Sequence, residues 1–220
     1  DLGDATFMAD HRIRFPCVSG AMANGIGSAD IVEAMSRAGM LGFFGSAGLP
    51  PARVEAAIDR ITKNLGDAPF GFNLINSPNE PDLEAAVVDL YLRRGVRLIE
   101  ASAYLRLTLP VIRFRLKGIH QDAEGRIVTP NHVIAKVSRV EVASKFWAPP
   151  PEEFLAELIK SGELTEAQAN LARRVPVAQD ITAEADSGGH TDNRPAITLL
   201  PTMIALRDRM QAEHGFEQPL

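Results

Sequence analysis

A single cysteine, Cys17, stands among 220 residues. No internal disulfide is available to such a chain, and thiol scarcity of this kind suits a reducing compartment. Positive charge is also in short supply: 23 lysines and arginines face 28 aspartates and glutamates, a formal net charge of −5. Nucleic-acid binding needs clustered basic surface, so this balance argues against it. No apolar run approaches the roughly 20 residues needed to span a bilayer. Nor does the opening Asp1-Leu2-Gly3-Asp4 resemble a signal peptide. The expectation is a soluble cytoplasmic protein with neither a membrane nor a nucleic-acid partner. His11, His120, His132 and His214 show no metal-ligand spacing, so no metal is expected.

What is present is an alternation of strand and helix patterns, in a chain 45% hydrophobic and 23% charged, as in ordinary globular proteins. Residues 14–18 read as a strand entering a glycine-bearing loop, 19–27, after which Ser28 can cap a helix with Ile31, Ala34, Met35 and Ala38 at helical spacing. The apolar run 40–44 reads as a strand buried on both faces. Pro50-Pro51 then opens a helix carrying Val54, Ala57, Ile58, Ile61 and Leu65 on one side. The scheme repeats with a strand at 70–75, a helix capped by Asn79 and carrying Leu83, Ala86, Val87, Leu90 and Tyr91, and a strand at 97–100. Residues 107–116 allow either a helix or a strand, because Arg113, Arg115 and Lys117 alternate with Phe114 and Leu116. That basic run is read as a solvated face or as a dock for an acidic carrier protein. Asp122-Ala123-Glu124-Gly125 reads as a hairpin tip, 132–137 as a fifth strand, and 148–175 as an inserted helical hairpin. A sixth strand at 176–183 and a last helix opened by Pro195, with a kink or late start at Pro201, complete the pattern.

Strict alternation predicts a parallel sheet with helices outside it. Two closures compete, an open doubly wound sheet and an eight-stranded barrel; a barrel typically takes about 250 residues. With about six units present, the reading is an α/β chain forming an incomplete TIM (β/α)8-type barrel over residues 1–220, truncated at its C-terminus. Active sites of such barrels lie at the C-terminal ends of the strands. Asp186-Ser187-Gly188-Gly189-His190 falls there. The paired glycines let backbone approach a ligand closely, and the histidine suits acid–base work near neutrality; a plain structural turn is the alternative.

Three segments taken together, Gly20-Ala21-Met22-Ala23-Asn24-Gly25-Ile26, Gly71-Phe72-Asn73-Leu74 and Ser187-Gly188-Gly189-His190, resemble the FMN-binding barrel family of nitronate monooxygenases and flavin-dependent enoyl reductases. The segments 133–139, 146–150 and 180–192 are similar to one branch of it, the trans-acting enoyl reductases of polyunsaturated fatty acid and polyketide synthases, the PfaD family. The resemblance implies FMN as cofactor, NAD(P)H as electron donor, and a 2,3-unsaturated acyl thioester carried on an acyl carrier protein; a homodimer is also expected. It implies that Ala21 and Met22 set backbone against the isoalloxazine ring, that Asn73 hydrogen-bonds the flavin, and that Lys136 points to its polar edge. Glu184, Ser187, Gly188 and Gly189 would line the top of strand six, and His190 would be catalytic, as donor to the thioester oxygen or as the acid that protonates the α-carbon. Each has a plainer alternative: Asn73 satisfying loop backbone, Lys136 in a buried ion pair, Met22 as core filler. Cys17 is expected as a small apolar residue inside the barrel. Two other functions compete, a nitronate monooxygenase using the same histidine as base, and a non-catalytic fragment lacking its phosphate clamp.

Overall fold

Asp4 caps the first helix, its carboxylate accepting from the Thr6 N–H at 2.7 Å. That helix, α1 (Ala5–Asp10), buries none of its residues, so no apolar stripe announces it in the sequence. The computed structural model describes residues 3–186 and 193–220. Contacts divide the chain into two compact units, with the division between Glu100 and Ala101.

In the first unit, strand β1 is only Val18–Ser19. The expected longer strand is interrupted because the N–H groups of Arg14 and Phe15 both turn to the Gly39 carbonyl. Cys17 is exposed, contrary to the expected place inside a barrel. Helix α2 (Ala29–Arg37) is capped by Ser28, whose hydroxyl accepts from the Ile31 N–H at 3.3 Å. Its buried face is Ala29, Val32, Glu33 and Ser36, and Ala34 of the expected stripe is exposed. Glu33 is inside because Arg37, Arg60 and Asn64 all donate to its carboxylate. Strand β2 (Leu41–Phe44) is fully buried. Gly42 lets α2 lie directly on it: a Cβ there would sit 2.9 Å from the Cα of Val32.

Helix α3 (Pro51–Leu65) buries Val54, Ala57, Ile58 and Ile61, as its spacing predicts. Strand β3 (Gly71–Ile75) follows, then α4 (Pro81–Arg93) and β4 (Leu98–Ser102). The buried face of α4 is Glu84, Val88, Leu90 and Tyr91; Leu83 and Ala86 of the expected stripe are exposed, and the cap is Glu80 rather than Asn79. The strands lie in the order β1-β2-β3-β4. β1 to β3 run parallel, with Val18 opposite Leu41 and Phe43 opposite Gly71. Phe43, Phe44, Phe72 and Tyr91 form the aromatic centre of this unit, each contributing roughly 1.5–3 kcal/mol by burial.

The second unit opens with α5 (Leu109–Leu116), which settles the helix-or-strand alternative in favour of helix. Arg115 on it is 1% exposed, so the basic run is not a solvated face at that residue, whereas Lys117 is exposed. Its neighbours Arg113 and Lys117 both face Glu163, at 2.6 and 3.9 Å. Strands β5 (His120–Gln121) and β6 (Ile127–Val128) form the expected hairpin, with Asp122 accepting from the N–H groups of Glu124 and Arg126 across the tip. Next come β7 (His132–Val137) and α6 (Val140–Phe146). Helices α7 (Glu152–Lys160) and α8 (Glu166–Ala172) occupy the segment read as a helical hairpin, α8 beginning with a capping box between Thr165 and Gln168. Strand β8 (Asp180–Ala183) runs parallel to β7, Lys136 opposite Thr182. Helix α9 (Ala196–His214) starts upstream of Pro201, runs through it, and ends at Gly215 in the left-handed conformation. No helix among the described residues is long and apolar enough to cross a membrane.

Candidate functional site

The loop after β1 is joined backbone to backbone with the segment that leaves β2. Asn24 N–H donates to the Ala47 carbonyl at 2.8 Å, Gly25 N–H to Gly45 at 2.9 Å, and Gly45 N–H to Gly27 at 2.9 Å. A Cβ on Gly45 would overlap the carbonyl oxygen of Met22, so only glycine permits this approach. Against the loop lies Glu100 of β4, 1% exposed, whose carboxylate accepts from the Ala21 N–H at 2.9 Å. A buried carboxylate is costly unless hydrogen-bonded, and holding this loop is one way the fold satisfies it. Met22 is not core filler, since it is 41% exposed.

Asn73 of β3 is 4% exposed, and its amide nitrogen donates to the Glu100 carbonyl at 3.1 Å. Its own carbonyl takes the hydroxyls of Ser46 and Tyr91, each at 2.6 Å, and those hydroxyls lie 2.8 Å apart. Two hydroxyl hydrogens thus serve three short contacts. Burial holds the Tyr91 phenol well above its ordinary pKa, against the opposing hydrogen bond from Ser46, so it stays a donor. Beside this cluster is a cavity of about 40 Å³ lined among others by Ser46, Asn73, Ser77 and Glu84, room for an ordered water rather than a substrate.

In the second unit, Lys136 near the end of β7 pairs with Glu184, just beyond β8, at 3.6 Å. The two side chains are 18% and 17% exposed. Glu184 is held by its own backbone, its N–H donating to the Val137 carbonyl at 2.8 Å.

Of the residues the sequence singles out, Ala21 and Asn73 meet on Glu100, and Lys136 meets Glu184. Ser187, Gly188, Gly189 and His190 lie outside the described residues. Their flanks come together, Asp186 N–H donating to the Arg194 carbonyl at 2.9 Å. Three residues of these clusters escape a reading of the sequence: Glu100, Ser46 and Tyr91. Glu100 carries a readable signal, a carboxylate inside the otherwise apolar run 98–101, since acidic residues are almost never fully buried without a partner. Ser46 and Tyr91 carry none, because a serine in a turn and a tyrosine on a helix are commonplace.

The model of the family described as nitronate monooxygenase matches residues 5–208. The chain belongs to the nitronate monooxygenase family. Among the relatives of this family member, one of the polyunsaturated fatty acid synthase proteins of Thraustochytrium sp. is 49% identical over 220 residues, covering the whole chain and 15% of that protein. The polyketide biosynthesis protein PksE of Bacillus subtilis is 40% identical over the same length, covering 29% of that protein. Among solved structures, the enoyl reductase domain of MlnA from the macrolactin cluster of Bacillus amyloliquefaciens matches with a TM-score of 0.95 and 39% identity. That match takes in the whole chain and 49% of the solved one. The chain therefore spans about half of that domain and less than a third of the two curated relatives. The TIM-barrel class expected from the sequence is the fold class of these enoyl reductase neighbours.

Proposed function

We propose that this chain forms part of a flavin-dependent enoyl reductase that reduces 2,3-unsaturated acyl thioesters carried by a fatty acid or polyketide synthase. The observation that carries the reading is a likeness to an enoyl reductase domain over the entire chain at a TM-score of 0.95. The local geometry agrees with a flat, partly apolar cofactor. The loop 20–27 is joined to the segment after β2 through backbone hydrogen bonds and leaves Met22 half-exposed. Ala21, Met22, Asn73, Lys136, Glu184, Ser187, Gly188 and Gly189 are the residues assigned to FMN. A bound FMN supplies the hydride, taken from NAD(P)H, that adds to the β-carbon of the thioester.

The chain's own residues then have separate tasks. Glu100 fixes the Ala21 backbone, so the loop is in place before a ligand arrives. As hydride adds, negative charge gathers on the thioester oxygen, and a donor aimed there is worth roughly 3–4 kcal/mol in analogous oxyanion sites. His190 is assigned that donation, or delivery of the proton to the α-carbon, a transfer typically worth about 10²–10⁴-fold. Glu184 holds the Lys136 ammonium.

The family match favours a second reading, oxidation of nitroalkanes by oxygen with His190 as base. The purified protein is tested first for yellow flavin absorbance, then without oxygen for oxidation of its reduced form by crotonyl thioester, and in air for oxygen consumption by its oxidised form with a nitroalkane. Crotonyl-dependent oxidation, lowered about 10²–10⁴-fold by His190→Ala, is the expected result. Reaction with the nitroalkane alone overturns the first reading, and absence of flavin overturns both.

A further inference from the structure

Beyond β4 the chain makes a turn that costs it backbone strain. Ala103 adopts φ 62°, a left-handed conformation that a residue with a Cβ rarely takes, and such strain gathers at ligand-binding and switch segments. The residues that follow, Arg106, Leu107 and Thr108, form one wall of an open groove of about 550 Å³, within the range of small-molecule sites. Its other walls are Lys145 of α6 and Pro151, Glu153 and Phe154 at the start of α7. All of these belong to the second unit.

The groove is lined by two cations, the exposed carboxylate of Glu153, the Thr108 side chain and apolar side chains. Arg106 and Lys145 are exposed cations. Among the described residues neither has a carboxylate partner, whereas Arg113, Arg126, Arg173 and Arg174 of the same unit are all ion-paired. Lys145 is held in place by its ammonium donating to the Leu105 carbonyl at 3.3 Å. Glu152, next to the groove's own Glu153, is already committed to Arg173 through two hydrogen bonds of 2.7 and 2.8 Å. Against the cations stand Leu107, Pro151 and the partly exposed Phe154, with Leu105 at the rim 63% exposed. Two cations against the one carboxylate of Glu153 leave the groove net positive, which suits a ligand with an anionic group on an apolar stem.

The geometry points to this groove as the seat of the phosphodiester end of a phosphopantetheine arm, Arg106 and Lys145 taking the phosphate and Leu105, Leu107 and Phe154 the branched apolar carbons beside it. The inference rests on the acyl-thioester reading above and adds to it the part of the substrate that is not reduced. A guanidinium binds phosphate through parallel N–H donors and an ammonium as a point charge, so the two cations together fit a single phosphodiester. The same arm occurs in coenzyme A and on carrier proteins.

The experiment measures binding, not turnover, using butyryl thioesters, which are already saturated. Affinity of the purified protein for butyryl-coenzyme A, butyryl-carrier protein and butyryl-N-acetylcysteamine, which lacks the phosphodiester, is compared between the native chain and Arg106→Ala and Lys145→Ala. The expected result is an affinity about tenfold weaker in each variant for the first two ligands, the loss of one charge-assisted contact, with the truncated thioester bound alike. Arg106→Lys restores part of the affinity. Unaltered binding of butyryl-coenzyme A by the variants, or no binding by the native protein, overturns the inference. A loss confined to the carrier-borne ligand overturns it too, since the groove would then meet the carrier's protein surface. Failure to reduce crotonyl-N-acetylcysteamine, measured separately, would count against the proposed reaction and leave the groove's assignment to the binding result.

Discussion

Among the described residues, the first unit buries a polar cluster at Asn73 and the second one at Arg115, and the two are built on different principles. In the first, a single carbonyl, that of Asn73, takes two neutral hydroxyls from Ser46 and Tyr91. In the second, a cation, the guanidinium of Arg115, is distributed over three neutral acceptors: the Pro176 and Asn131 carbonyls at 3.2 and 2.8 Å, and the Gln179 side chain at 3.4 Å. Burial lowers the Arg115 pKa to about 10, opposed by the charge of Asp180, so it is still protonated at neutral pH. Asn131 donates on to the carbonyls of Phe114 and Lys117, and Trp147 donates to that of Gln179. The neutral cluster fixes one strand end. The charged one fastens α5 to the approaches of β7 and β8, a span that no single hydroxyl reaches.

The contrast is broken most severely at Arg115. Arg115→Ala leaves three acceptors without their donor and a cavity where the side chain was, and it should cost about 3–4 kcal/mol in urea unfolding. Arg115→Lys should recover only part of that, because an ammonium lacks the planar fork; full recovery would mean that charge and not geometry is what matters. Smaller effects are expected in the neutral cluster. Tyr91→Phe and Ser46→Ala should each cost about 1 kcal/mol, since either leaves the Asn73 carbonyl with one donor. The double variant should exceed their sum by roughly 0.5–1 kcal/mol, because it orphans the carbonyl; strict additivity would show that water replaces the hydroxyls. The mildest test concerns Glu33 of the first unit. Asn64 foremost, then Arg60 and Arg37, hold its carboxyl below the ordinary value of 4.5. A carboxyl depressed on folding stabilises above that value, and the contribution fades as pH falls through the folded pKa. Glu33→Gln should therefore lower stability at neutral pH more than at acid pH, flattening the acid limb of the stability–pH curve followed by urea unfolding at each pH.

The alternation of elements is legible because apolar runs and glycine or proline punctuation report it directly; α3 buries the face its spacing predicts. Helix faces in α2 and α4 depart from their spacing where a carboxylate goes inside. Glu33 and Glu84 are buried with amide or guanidinium partners far along the chain or in a preceding loop, and hydrophobic spacing has no term for a satisfied charge. Arg115 misleads for the same reason: alternation with Phe114 and Leu116 suggests a wetted edge, yet its acceptors lie up to 64 residues away. At the candidate site, Asn73 and Ala21 are visible through a family pattern, while Glu100, which joins them, is not.

Gly45 has a practical consequence. Because its α-carbon abuts the Met22 carbonyl and its amide and carbonyl are exchanged with Gly27 and Gly25, residues 20–27 and 45–47 behave as one cassette. Anyone transplanting the first of these segments from another protein must transplant the second with it.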